Sequence, residues 1–164
     1  MKYTIGVDFM ETYWMEIAAP VGKIIVMADD EAVTHIELSA KHRPAGKPKL
    51  NAVLTRAQKQ LVEYFTGKRE NFDLPLKPEG TAFQQKVWKA LAKIPFGQTR
   101  SYGQIAKAVN SPAASRAVGA ACGRNPLPIV IPCHRVVGST GSLTGFGGGL
   151  SMKEWLLKHE GATT

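Results

Sequence analysis

Between Glu79 and Glu154 the chain runs for 74 residues without one carboxylate side chain, while nine Lys and Arg fall in the same stretch. A side chain there that needs an acidic partner has few to choose from. The imbalance is local. Residues 1–78 hold 11 Lys and Arg against 10 Asp and Glu, whereas residues 79–164 hold 10 against 3. A one-signed field over half of a small protein points to a polyanion, and nucleic acid is the polyanion such a field most often serves. Charge kept only for solubility would more often be spread over both halves. The same position carries Pro75, Pro78 and Gly80, a plausible linker. Two small domains are therefore expected, 1–78 and 79–164.

The 164 residues suffice for that, and 44% hydrophobic with 21% charged residues fits a folded chain. No apolar run is long enough to cross a membrane. The first residues, MKYTIGVDFMETY, lack an apolar signal core, so the cytoplasm is the expected compartment. Cys122 and Cys133 are too few for a disulfide scaffold, and no CxxC or HxxxH accompanies them to make a structural zinc site.

The first half reads as a small antiparallel meander. Residues 12–18, 23–28 and 33–38 have strand-like apolar character, with turns at Pro20-Val21-Gly22 and Asp29-Asp30-Glu31. A loop covers 39–49. Leu54, Leu61, Val62 and Phe65 then recur at near-helical spacing up to Gly67, and 71–76 reads as a strand returning to the sheet. The second half reads as helical. Thr81 caps a helix to about Ile94, with Lys86, Lys89 and Lys93 on one face. Ser101 and Gln104 form a capping box for a second helix. Ser111 and Pro112 fit the N-cap and first turn of a third, built from small residues and ended by Asn125-Pro126. Residues 142–149 are glycine-rich, and 151–159 form a last amphipathic helix. The fold class is α+β: an antiparallel sheet with a helix, then a mostly helical domain.

The helices at 101–109 and 112–123 match a helix-turn-helix. The second is narrow, with Arg116 as one long side chain in its first turn. That arginine could reach a groove or base stack, or simply sit in solvent on a tightly packed helix. Cys133 is more specific. Ile129–Ile131 reads as a buried strand, Pro132 stops it, and Cys133-His134-Arg135 follow. A thiol is nucleophilic only as thiolate, so a positive or hydrogen-bonding neighbour must lower its pKa. Adjacent residues in extended chain point to opposite faces, so His134 would act through a bridging water. The ring needs an orienting acceptor, for which Glu154 and Glu160 are the candidates. Cys122 fits the role of a small buried hydrophobe.

Ile131-Pro132-Cys133-His134-Arg135-Val136 resembles the active-site signature of the O6-alkylguanine-DNA alkyltransferases. Ile94-Pro95-Phe96-Gly97, Ser101-Tyr102-Gly103, Arg116-Ala117-Val118-Gly119, Asn125-Pro126, Gly148-Gly149-Leu150 and Lys153-Glu154-Trp155-Leu156 are similar to family blocks in family order. The likeness covers the second domain almost end to end and is weaker in the first. It implies a ribonuclease H-like first domain and a second that binds double-stranded DNA carrying O6-alkylguanine. Cys133 would take the alkyl group, once per molecule, with O4-alkylthymine a candidate second substrate. His134 would receive the thiol proton through a water, oriented by Glu160. Asn125 would brace the active-site turn. Tyr102 would rotate the nucleotide out and protonate the departing guanine, and Arg116 would fill the stack. Ser101, Ala114, Gly119 and Arg135 complete the implied DNA face. The implied pocket is lined by Cys133, Val136, Phe146, Gly147, Gly148 and Pro128, with the carbonyls of Cys133 and Val136 accepting the base amine. No cofactor, no metal and no membrane are implied, and the protein would act as a monomer.

Two departures stand out. Phe146 lacks the hydroxyl that many relatives place there, and Gly147 replaces a small polar residue or Ala, so the loop should be more mobile. His35 and His42 alone do not suffice for the zinc that some relatives carry. Two other functions compete: a cysteine hydrolase, which would need a separately placed His, and a protein that binds alkylated DNA without repairing it.

Overall fold

Strands β1 (Tyr13–Ala19), β2 (Gly22–Ala28) and β3 (Val33–Leu38) form an antiparallel sheet in that order. The computed structural model describes residues 11–45 and 47–162. The segment 1–10, read above for a leader, and Gly46 of the 39–49 loop lie outside them. β2 is the middle strand. Its Ile24, Ile25 and Val26 are fully buried, which explains a continuous apolar run where an edge strand would alternate. Gly22 opens β2 with φ 110°, a conformation the tight turn after β1 requires and a Cβ would resist.

Helix α1 (Ala52–Phe65) lays Leu54, Ala57, Leu61, Tyr64 and Phe65 against this sheet. Asn51 caps it by accepting from the Leu54 N–H. The expected strand at 71–76 does not form. One bridge replaces it, in which Val33 N–H donates to the Pro75 carbonyl and Lys77 N–H to the Val33 carbonyl. Pro75 and Pro78 have no N–H to extend a ladder.

In the second lobe, α2 (Ala82–Leu91) starts at the expected Thr81, with a reciprocal box to Gln84. It ends before Ile94, because Pro95 disfavours helical backbone in the residue before it and the last turn tightens into i→i+3 bonds. β4 (Arg100–Ser101) leads directly into α3 (Tyr102–Ala108), boxed by Ser101 and Gln104 as expected. The break after α3 differs from expectation. Ser111 is not an N-cap. Its N–H donates to the Ala106 carbonyl and that of Asn110 to Lys107, with Asn110 at φ 58°: a Schellman C-cap of α3. Helix α4 (Ser115–Gly123) starts later, with Ala114 at its N-cap.

The run 129–131 is not a strand either. Ile129 has φ 74°, rare for a β-branched residue, and Ile131 N–H folds back onto the Leu127 carbonyl. The chain then makes a 3-10 turn at Cys133–Arg135 and enters β5 (Val136–Val137), parallel to β4. This pairing ties the Cys133 turn to the start of α3. Helix α5 (Leu150–His159) closes the lobe. One apolar core runs through both lobes, from Ile24 and Leu61 to Trp88, Leu127 and Leu156.

Candidate active site

Asn125 shapes the segment that presents the thiol. Its Nδ2 donates to the Ile131 carbonyl at 2.8 Å, and its Oδ1 accepts from Leu127 N–H at 2.9 Å. The expected bracing residue thus spans the turn that carries Ile129. Beyond it, Cys133 is 7% exposed, at the meeting of two cavities. One, of about 580 Å³, opens between α3, α4 and the 144–147 loop and is lined by Tyr102, Arg116, Gly119, Phe146 and Gly147. The other, of about 440 Å³, opens toward β3 and includes Pro128 and Asn125.

Behind the thiol lies a buried carboxylate cluster. His134 Nε2 is 2.8 Å from Glu160 Oε1, and both side chains are fully buried. Arg135 Nε donates to Glu160 Oε2 at 2.8 Å and its Nη2 to Oε1 at 2.9 Å. Tyr64 Oη, from α1, donates to Oε1 at 2.7 Å. Burial opposes ionisation of Glu160, but the His134 and Arg135 bonds outweigh it and hold its carboxyl well below the usual range. Burial pushes the His134 pKa down despite the carboxylate, so the ring is neutral near pH 7. A neutral ring beside an ionised Glu160 donates its proton from Nε2. Nδ1 is then an acceptor, and it has no hydrogen-bond partner among the described residues.

Cys133 makes no hydrogen bond to this ring. Burial pushes its thiol pKa up, while Asn125, the Lys153 charge and backbone N–H groups pull the other way. A resting thiol followed in the chain by a neutral imidazole whose Nδ1 can accept suits a reaction in which deprotonation accompanies attack.

Other expected residues fall differently. Arg135 was expected on the DNA face, but it is buried, bonded to Glu160 and, through Nη1, to the Ile94 carbonyl at 2.6 Å. Its guanidinium is needed to neutralise the carboxylate and cannot face a duplex. Val136 and Gly148 line neither cavity. The Val136 carbonyl accepts from Lys153 Nζ at 2.6 Å, and Gly148 packs so closely on Met152 that a Cβ would lie 2.4 Å from its sulfur. Ser101 serves as the α3 cap, and Ala114 stands next to Ser115 and Arg116 at the start of α4. Arg116 is exposed and makes no hydrogen bond or ion pair among the described residues. Tyr102 Oη is held by Thr144, accepting from Oγ1 at 3.0 Å and donating to the carbonyl at 3.3 Å.

Two residues were not singled out from the sequence. Lys153 is fully buried and bonds the carbonyls of Val136 and Thr144, fixing the cavity loop to β5. Its signal was a lysine on the apolar face of α5, three and four residues before Leu156 and Leu157. Tyr64 had no local signal, because its partner is 96 residues away.

The family model described as 6-O-methylguanine DNA methyltransferase, DNA binding domain, matches residues 82–162. The model for the ribonuclease-like domain of the same proteins matches residues 12–78. A methylated-DNA–protein-cysteine methyltransferase of Methanosarcina barkeri is 48% identical over 152 residues, covering 90% of this chain and 96% of the relative. A constitutive one of Bacillus subtilis is 44% identical over 156 residues, covering 90% and 94%. The crystal structure of Mycobacterium tuberculosis OGT in complex with DNA superposes with a TM-score of 0.85 at 41% identity, covering 91% and 92%. The chain belongs to the 6-O-methylguanine DNA methyltransferase family.

Proposed function

We propose that this protein repairs O6-alkylguanine in DNA by moving the alkyl group onto its own Cys133. The observation that carries this reading is the placement of Cys133, in a cavity flanked by Tyr102 and Arg116 with the His134–Glu160 pair behind it. The duplex lies against α4, where the small residues let the backbone come close. Arg116 enters the stack as the damaged nucleotide leaves it. An O6-alkylated base pairs poorly, so its extrusion costs less than that of normal guanine.

His134 Nδ1 takes the thiol proton through a water. The Cys133 sulfur then attacks the alkyl carbon, a carbon–sulfur bond forms, and the carbon–O6 bond breaks. Its electron pair leaves with guanine, which Tyr102 protonates from its hydroxyl. The product is a thioether whose carbon is unactivated, so each molecule acts once. No cofactor enters this sequence. Residues 79–164 bind DNA and accept the alkyl group, while residues 1–78 buttress them through Tyr64. The protein works as a monomer in the cytoplasm, where the thiol stays reduced.

Intact mass after incubation with an oligonucleotide bearing one O6-methylguanine tests the reading. One methyl group in place of one hydrogen, on Cys133 and never more than one per chain, is expected. Catalytic turnover with an unmodified thiol would indicate a hydrolase. Lesion binding with an unmodified thiol would indicate a protein that only binds the damage.

A further inference from the structure

We infer that the chain has a second DNA-contacting surface, a cationic groove between α2 and α3 that grips the phosphate backbone beyond the segment held at α4. The groove encloses about 560 Å³. Lys86 and Lys89 of α2, Lys93 of the turn that follows it and Arg100 of β4 form its rim, and Ala90, Ile105 and Ala108 line it between them. The three lysines are exposed. Little can neutralise them. The only carboxylates of this half of the chain are Glu79, Glu154 and Glu160. Glu154 pairs with Lys158, and Glu160 is held by His134 and Arg135. Among the described residues none of the three lysines has an ion-pair partner.

Spacing matches the ligand. Lys86 to Lys93 advances seven residues along α2 and the tight turn that ends it, about 10 Å at roughly 1.5 Å per residue. That is the axial run of about three phosphates on one strand of duplex. The apolar lining between the cations suits deoxyribose faces, which carry no charge.

Position favours DNA over an acidic protein segment. Helix α3 separates the groove from the Cys133 cavity, with Tyr102 on the cavity side and Gln104 and Ala108 on the groove side. The two sites share no lining residue. In a helix-turn-helix the first helix crosses the nucleic-acid backbone, so a duplex seated on α4 passes α3 and reaches the groove. The inference rests on the DNA-binding part of the proposed function and not on alkyl transfer.

The test is the salt dependence of binding to an unmodified 24-base-pair duplex. Three neutralised phosphate contacts contribute a slope of about 2.7 in log K against log salt, at about 0.9 per contact. The combined Lys86→Gln, Lys89→Gln, Lys93→Gln protein should lose about that much slope and bind more than about tenfold weaker at 0.1 M salt. The corresponding triple Lys→Arg protein should keep the parent's slope, which separates lost charge from lost fold. An unchanged slope in the Gln protein, with an unchanged melting temperature, overturns the proposal and leaves the groove to solvent or an acidic protein. Failure of Cys133 to become alkylated would sink the repair reading alone, since unmodified DNA reports only on binding.

Discussion

Glu160 holds His134, the arginine beside it and a tyrosine from the other lobe. Glu160→Gln removes the charge that Arg135 neutralises. A buried pair broken on one side costs about 3–5 kcal/mol, and urea unfolding should show a loss of that order. Acid should expose His134 first. Its folded pKa lies below the ordinary value of 6.5, so as pH falls past 6.5 the unfolded chain binds a proton that the native chain refuses. Stability from this residue is therefore lost on acidification below 6.5. Glu160 is shifted downward from 4.5, so its contribution is present above 4.5 and disappears only as pH falls through its folded value. Between pH 6.5 and 4.5 the melting temperature of the parent should fall more steeply than that of His134→Asn. Parallel curves would show that another group titrates. By the same shift, the acid inflection of the alkylation rate should lie below pH 6.5.

At the scale of elements, what could be read in the sequence was what is written locally. Thr81 with Gln84 and Ser101 with Gln104 announce the starts of α2 and α3, and both boxes form. The helix-turn-helix break was legible as punctuation but its grammar was not, because Asn110-Ser111-Pro112 offers both a C-cap and an N-cap. The C-cap prevails through two backbone bonds. Asn110→Ala should cost about 1–2 kcal/mol, the penalty for an alanine in left-handed backbone, while Asn110→Gly should stay near the parent in urea. The run at 129–131 looked like a strand because β-branched residues favour one. Tertiary demand overrides it, since Asn125 folds the segment back and places Cys133 at the cavity. Arg135 was misplaced for a related reason. The family resemblance implied the DNA face, whereas the carboxylate that claims it lies 25 residues on.

Over the whole molecule, the shift in charge balance near residue 79 does not mark a break in the core. One apolar cluster spans both lobes, and Tyr64 enters the Glu160 site from α1. Scanning calorimetry should accordingly show a single transition with calorimetric and van't Hoff enthalpies in agreement. Two resolved transitions would mean the lobes unfold separately. Tyr64→Phe should lower that transition without splitting it, by the 1.5–3 kcal/mol typical of a hydrogen bond to a charged group, about one strong bond's worth. On the DNA side, Arg116→Ala should slow alkyl transfer from duplex by at least about tenfold, about 1.4 kcal/mol of barrier. Transfer from a single strand, which has no stack to fill, should change less. Equal slowing on both substrates would remove Arg116 from the extrusion step.

The reach from Tyr64 to Glu160 also sets a schedule. Chains are made from the N-terminus, and long-range contacts form late. A nascent chain that has emerged only through β5 already carries Cys133 and His134, yet it lacks Glu160, which bonds His134 and Arg135. On the proposed mechanism, the base that serves the thiol is therefore completed only when α5 docks. On that reading, a single-use thiol gains its oriented base last, with the segment that carries Glu160.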